Sequence, residues 1–124
     1  MAFWPSGIAT PHELRTRDHY NRDLVFLSGY PVFDFRGSGG SWKHDELYVV
    51  AGPAWRNLID VTPVVSLASI SNSNHAVNAG WAVDGVRWET YNSQILLRIP
   101  LAIRDSDGYI HRVAYQITAV GNIL

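Results

Sequence analysis

Two alternating runs of apolar residues near the C-terminus restrict the fold more than any other part of the chain. The first places five large apolar side chains on one face, namely Ile95, Leu97, Ile99, Leu101 and Ile103. The second does the same with Val113, Tyr115, Ile117 and Ala119. A period of two is typical of β-strands with one buried face. The polar loop Asp105-Ser106-Asp107-Gly108 separates the runs, and Asp-Gly in that position predicts a β-hairpin.

Further strand-like segments recur at short spacing along the chain. They cover residues 24–36 (interrupted at Gly29–Pro31), 47–51, 64–70 and 81–88, where Gly85 suggests a bulge. Thr10-Pro11-His12-Glu13 matches a helix capping box and predicts a short helix over residues 11–19. The fold class is therefore all-β, an antiparallel β-sandwich of six to seven strands with one short N-terminal helix. We expect an N-terminal arm with that helix over residues 1–22 and a β-sandwich domain over residues 23–124.

Composition narrows the classes of partner. The chain has 124 residues and a net charge of -1, so it fits one domain and offers no bulk positive field for nucleic acid or anionic membrane. It has no cysteine, which excludes disulfides and thiol chemistry. The N-terminus lacks a secretory signal pattern, and no run reaches the roughly 18 apolar residues of a membrane helix. We expect synthesis in the cytoplasm, with action outside the cell through a virion or through lysis.

No motif in the sequence predicts catalysis, a metal or a cofactor. The acidic loop beginning at Asp105 has Tyr109 and Gln116 at the fifth and twelfth positions, where an EF-hand needs oxygen ligands. The loop is therefore interpreted as a polar turn. The five histidines lack zinc-site spacing, and no nucleophile-elbow pattern surrounds Ser41, Ser66 or Ser69. The carboxylates Asp34, Asp45, Asp84 and Glu89 could pair as in glycosidases, but any chain of this length offers such pairs. We expect a protein that is not an enzyme.

Aromatic and guanidinium groups favour binding instead. The chain has five tryptophans, and Lys43 is its one lysine beside nine arginines. Most tryptophans are expected in the core, with one or two left to stack on a sugar. The candidate ligand-binding residues surround the acidic loop and one tryptophan: Arg104, Asp105, Asp107, Tyr109 and Trp88.

The C-terminal half resembles the H-type lectin domain. The strand over residues 61–70 (VTPVVSLASI) resembles the strand that opens that domain, and residues 103–107 with 113–121 resemble its ending. The resemblance implies a six-stranded antiparallel sandwich that forms a trimer, with a sugar site in the cleft between protomers. It transfers one site position, Asp105. At the family's terminal tryptophan this chain has Tyr115.

Two leading functional hypotheses follow, and a hydrolase ranks third. The first is a non-enzymatic, carbohydrate-binding β-sandwich, similar to a lectin, that acts as a homo-oligomer and specifically a homotrimer. The alternative is a structural virion component, such as a phage tail fibre, tail or capsid-decorating protein, that works through contacts with copies of itself or with other virion proteins. Both hypotheses expect no nucleic acid, membrane or cofactor as partner.

Overall fold

Nine β-strands form two sheets in the computed structural model, which describes residues 2–37, 40–72, 80–104 and 108–124. The strands are β1 (Ala2–Phe3), β2 (Gly7–Arg17), β3 (Asp23–Arg36), β4 (Lys43–Ala51), β5 (Trp55–Asn72), β6 (Gly80–Val83), β7 (Arg87–Tyr91), β8 (Gln94–Arg104) and β9 (Gly108–Ile123). The described residues contain no helix. The all-β class is confirmed, and the arrangement is that of a β-sandwich.

The strands divide into two sheets, which we call the front sheet and the back sheet. The front sheet has the order β1-β4-β8-β6, with β7 pairing β8 next to β6, and the back sheet has the order β2-β3-β9-β5. All pairings are antiparallel except that of β1 with β4. β8 and β9 are thus the central strands of opposite sheets.

The core lies between β8 and β9. The inner faces of both strands are almost completely buried, which confirms the alternation in the sequence: Ile95, Leu97, Ile99, Leu101 and Ile103 on β8, and Val113, Tyr115, Ile117 and Ala119 on β9. Strands β3 and β4 extend the same cluster with Val25, Leu27, Leu47 and Val49. Burial of these apolar surfaces is the main favourable term in folding.

The predicted hairpin between the last two strands is wrong. β8 pairs with β4, β6 and β7, whereas β9 pairs with β3 and β5, so the connection after Arg104 crosses from one sheet to the other. Alternation shows which face of a strand is buried but not which strand lies beside it. The two apolar faces therefore meet across the core instead of lying side by side in one sheet.

The predicted N-terminal helix is also wrong, because residues 7–17 form edge strand β2. Thr10 has a positive φ of 45°, and the register with β3 shifts between Ala9 and His12. Pro11 lies inside this bulge, where its missing N–H costs no ladder hydrogen bond. The residues that match a capping box thus form a β-bulge. The polar stretch after it has no helical apolar stripe, and it gains backbone pairing with β3 instead.

Proline and glycine interrupt fewer strands than the sequence suggests. β3 runs through Gly29 and Pro31 without a break, and β5 begins eight residues before Pro63. β5 is an edge strand, where a proline is tolerated. The segment 81–88, predicted as one strand, forms β6 and β7, which pair with successive parts of β8.

Candidate functional site

The residues predicted to bind ligand do not form one cluster. Asp105 and Asp107 lie outside the described residues. Arg104 ends β8 in the front sheet, while Tyr109 lies in β9 of the back sheet, opposite Arg36 and Ser71. Trp88 is opposite Leu97, seven residues along β8 from Arg104, which corresponds to about 23 Å at the usual strand rise. The structure thus places Arg104 and Tyr109 on either side of the acidic loop and Trp88 well away from both.

The structure separates the tryptophans by exposure. Trp55 is buried and Trp81 packs against the core, as expected for aromatic residues in a sandwich. Trp4, Trp42 and Trp88 remain 52%, 46% and 36% exposed, and the Trp4 ring packs against Tyr48 and Tyr91. Only exposed indoles have a face free for a ligand, so Trp42, which precedes β4, joins Trp88 as a candidate.

Trp42 borders a groove on the outer face of the front sheet, which we call the Trp42 groove. Its cavity volume is about 400 Å³, within the usual range for small-molecule sites. Small side chains of adjacent strands form its floor, namely Ala82 on β6 and Ala102 on β8, which are paired directly. His44, Asp45, Asp84 and Pro100 also line it. Aromatic, imidazole and carboxylate groups thus converge over an apolar floor.

The packing of Gly80 fixes the position of the Trp42 ring. A Cβ atom added at Gly80 would lie 2.6 Å from Trp42 Cη2, closer than carbon atoms approach in folded proteins. The indole therefore lies directly against the backbone of β6, and a larger residue there would displace it. At the other end of the floor, the Asp84 N–H donates to the Pro100 carbonyl at 3.0 Å, and Asp84 Oδ1 accepts from the Gly85 N–H at 2.8 Å. The Trp42 ring thus contacts the backbone at one end of the groove, and Asp84 is hydrogen-bonded to the backbone at the other.

An ion network continues the outer face of the front sheet beyond the groove. Glu46 accepts hydrogen bonds from Arg98 Nε at 2.8 Å and from Arg87 Nη2 at 3.0 Å. Partial burial raises the pKa of Glu46, but the hydrogen bonds from Arg98 and Arg87 outweigh that effect and hold the pKa below its usual range. The bond to Glu46 likewise raises the pKa of Arg98. The charges of Glu46, Arg98 and Arg87 are thus engaged with one another.

Tyr109 belongs to a different cluster, on the outer face of the back sheet. Its ring stacks on His111 with centroids 5.3 Å apart and planes 9° apart, and the Arg36 guanidinium carbon lies 5.8 Å from its centroid. His111 Nδ1 is 2.8 Å from Asp34 Oδ1, and His111 Nε2 is 2.8 Å from Ser71 Oγ. Tyr109, one of the predicted residues, thus lies beside three polar side chains that are joined by hydrogen bonds, namely Ser71, His111 and Asp34.

The sequence does not predict the relation of Ser71, His111 and Asp34. Ser71 is 40 residues from His111, and Asp34 is 77 residues from it. No local spacing joins them, since three strands of one sheet bring them together. Trp42 and His44 carry a weak signal, because residues i and i+2 share a strand face, but nothing in the sequence places Ala82 and Ala102 beside them.

The chain has no match among protein-family models, curated proteins or solved structures. Within the described ranges, no group of three or more histidine, aspartate or glutamate side chains could hold a metal ion. The same residues include no helix long and apolar enough to cross a membrane.

Proposed function

We propose that the protein binds carbohydrate in the Trp42 groove, as a non-enzymatic, lectin-like β-sandwich. The observation that carries this proposal is the exposed Trp42 indole beside an apolar floor, with His44 and Asp84 at its margins. A sugar ring has C–H groups on one face and hydroxyls at its rim. The negative face of an indole attracts the C–H groups, while imidazole and carboxylate groups hydrogen-bond to the hydroxyls.

The floor of the groove supports a ring-shaped ligand in particular. Ala82 and Ala102 end at Cβ, so a flat ligand can approach the sheet closely beside the taller indole. Larger side chains at these positions would fill the space. A volume of about 400 Å³ suits a small saccharide and excludes a long buried ligand.

The proposal includes self-assembly, which lectins commonly use to gain avidity from weak sites. The outer face of the back sheet supports this part, because Leu14 and Phe26 are paired there and are 60% and 42% exposed. Adjacent exposed apolar residues are typical of interaction surfaces. A net charge of -1 adds little repulsion between copies. We propose that copies of this chain cover that face, as the homotrimer implied by the resemblance to H-type lectins.

The same exposed apolar pair favours the second candidate, a structural virion component such as a phage tail fibre or capsid-decorating protein. Strand β1 pairs with β4, and strand β2 pairs with β3 of the same chain. Assembly would therefore use the sheet face rather than a free N-terminal arm. Light scattering at several concentrations measures the assembly. A glycan array then separates the candidates, because the structural component alone predicts an oligomer that retains no glycan.

Replacement of Trp42 tests the sugar site. We expect Trp42→Ala to reduce the affinity for the glycans selected on the array at least tenfold by calorimetry, because the stacking surface is lost. Trp88→Ala is the matched control, since it removes an exposed indole from the same sheet outside the groove. Equal losses in both variants would contradict the assignment to the groove. An array without signal on the wild-type oligomer would remove the whole proposal.

A further inference from the structure

Ser71, His111 and Asp34 form a hydrogen-bonded row on the outer face of the back sheet, away from the Trp42 groove. They come from β5, β9 and β3, and β9 lies between the other two strands. His111 is therefore flanked by Ser71 on one side and Asp34 on the other, each at 2.8 Å. This order is the one that nucleophilic catalysis requires, with the hydroxyl at Nε2 and the carboxylate at Nδ1.

A bulge in β9 sets the direction of the His111 side chain. Ile110 pairs with Phe35 and Ile70, and Arg112 pairs with Val32 and Ser69, so His111 has no Cα partner in either ladder. The register shifts at this point in both ladders: the extra residue lies in β9 in the ladder with β5, and in β3 in the ladder with β9. Bulges re-aim side chains and are frequent beside active sites. Tyr109 stacks on the imidazole and limits its rotation.

An ionised Asp34 beside a neutral His111 ring selects one tautomer of the imidazole. An ionised Asp34 carboxylate can only accept, so His111 Nδ1 must donate to it. The neutral ring then has a free lone pair at Nε2, which accepts the Ser71 hydroxyl proton. Asp34 thus holds the imidazole in the tautomer that can act as a base, and it stabilises the cation formed when the base is protonated. Arg36, over the Tyr109 ring, adds a positive charge to the cluster.

We propose that Ser71 is a nucleophile activated by His111 and oriented through Asp34, with small carboxylic esters as its substrate class. The Ser71 Oγ–H bond breaks as Oγ forms a bond to the acyl carbon, and His111 Nε2 takes the proton. The ester C–O bond then breaks, and the leaving alcohol takes that proton from His111. Water then attacks the acyl carbon as His111 Nε2 takes its proton. The bond between Ser71 Oγ and the acyl carbon breaks, Oγ takes the proton back from His111, and the carboxylic acid leaves.

The exposure of the Asp34 and His111 side chains limits the size of the substrate that this row can bind. The Asp34 side chain is 75% exposed and that of His111 is 35% exposed, so the row lies on an open surface. Such a surface offers little binding energy to the remote parts of a large substrate. It is open to small, activated acyl groups. This activity is independent of sugar binding and would make the chain an enzyme, contrary to the expectation from its sequence.

A fluorophosphonate probe tests the nucleophile directly. Attack by Ser71 Oγ forms an O–P bond and expels fluoride, and peptide mapping by mass spectrometry identifies the labelled serine. We expect Ser71 to be labelled at least tenfold faster than Ser66, an exposed serine of the same strand that has no histidine partner among the residues that the structure describes. Labelling of Ser71 no faster than Ser66 in the wild-type protein would overturn the proposal, and that comparison needs no variant.

Variants then identify the base. His111→Gln should reduce the labelling rate of Ser71 about 10²-fold, the lower range for loss of a general base. Asp34→Asn should reduce it less, and Ser66→Ala should leave it unchanged. Release of p-nitrophenol from p-nitrophenyl acetate should follow the same order. Undiminished labelling in a folded His111→Gln variant, checked by circular dichroism, would refute the role of the imidazole. Glycan binding is measured separately, so failure here leaves that proposal standing.

Discussion

β8 and β9 are equivalent on their inner faces and different on their outer faces. Each is the central strand of its sheet, and each buries an alternating set of apolar side chains. On the outer face of β8, Leu96 is buried and Arg98 is bound by Glu46. On that of β9, Gln116 and Thr118 are exposed. The inner faces thus determine how the two sheets pack, whereas the outer faces determine what each sheet can bind.

The largest expected effect tests the equivalence of the inner faces. Leu97→Ala on β8 and Ile117→Ala on β9 should each lower the free energy of unfolding by about 2–5 kcal/mol, because both side chains are almost fully buried. Val64→Ala, at an exposed position of β5, should change it by less than about 0.5 kcal/mol. Urea denaturation measures all three. A large loss in one strand and a small loss in the other would show that the sheets do not share one core.

The inner faces are the part of the structure that the sequence predicts. Period-two alternation is a local property, so residues 95–103 and 113–119 identify their own buried faces. Strand partners are not local. Asp107-Gly108 suits a hairpin turn, but the strands on either side of it pack across the core in different sheets. In the same way, Thr10-Pro11 suits a helix start, and a bulge in an edge strand accepts it equally well.

The candidate sites could not be predicted, for the same physical reason. The Trp42 groove needs β6 beside β8, and the row at His111 needs three strands in one sheet and a bulge. Such arrangements depend on strand order, which no short stretch of residues encodes. Tyr109, one of the predicted ligand residues, belongs to a polar cluster because it shares a strand face with His111, two residues away.

A smaller effect concerns the outer face of the front sheet. Glu46→Gln should cost less than about 1 kcal/mol at neutral pH, since ion pairs near the surface contribute modestly. The pKa of Glu46 is lowered in the folded protein, so its contribution is present above the ordinary value of 4.5. It is lost as the pH falls through the lowered pKa. Urea denaturation at a series of pH values below 7 should therefore show the difference between wild type and variant shrinking as the pH falls.

Glu89→Gln is the matched control for this pH dependence. It removes the same charge from the outer face of the same sheet, but Glu89 acts on Arg98 only through longer-range attraction. We expect a smaller change at pH 7 than for Glu46→Gln. If the two variants lost the same stability, or if the loss at Glu46 did not shrink as the pH fell, the hydrogen bonds to Arg98 and Arg87 would not be its source.

The smallest effect on the single chain, within about 0.5 kcal/mol, is expected for Phe26→Glu on the outer face of the back sheet. Assembly should respond strongly, because a charge there would enter the apolar contact between copies. The wild type should melt at a temperature that rises with protein concentration, and the variant should not, since association stabilises by mass action. Light scattering should show a lower mass for the variant. Thr90→Glu, which adds the same charge to an exposed strand residue of the front sheet, should keep the wild-type mass. If wild type and Phe26→Glu had the same mass at every concentration, the back face would not be the assembly surface, and exposure of Leu14 and Phe26 would be a property of the free chain.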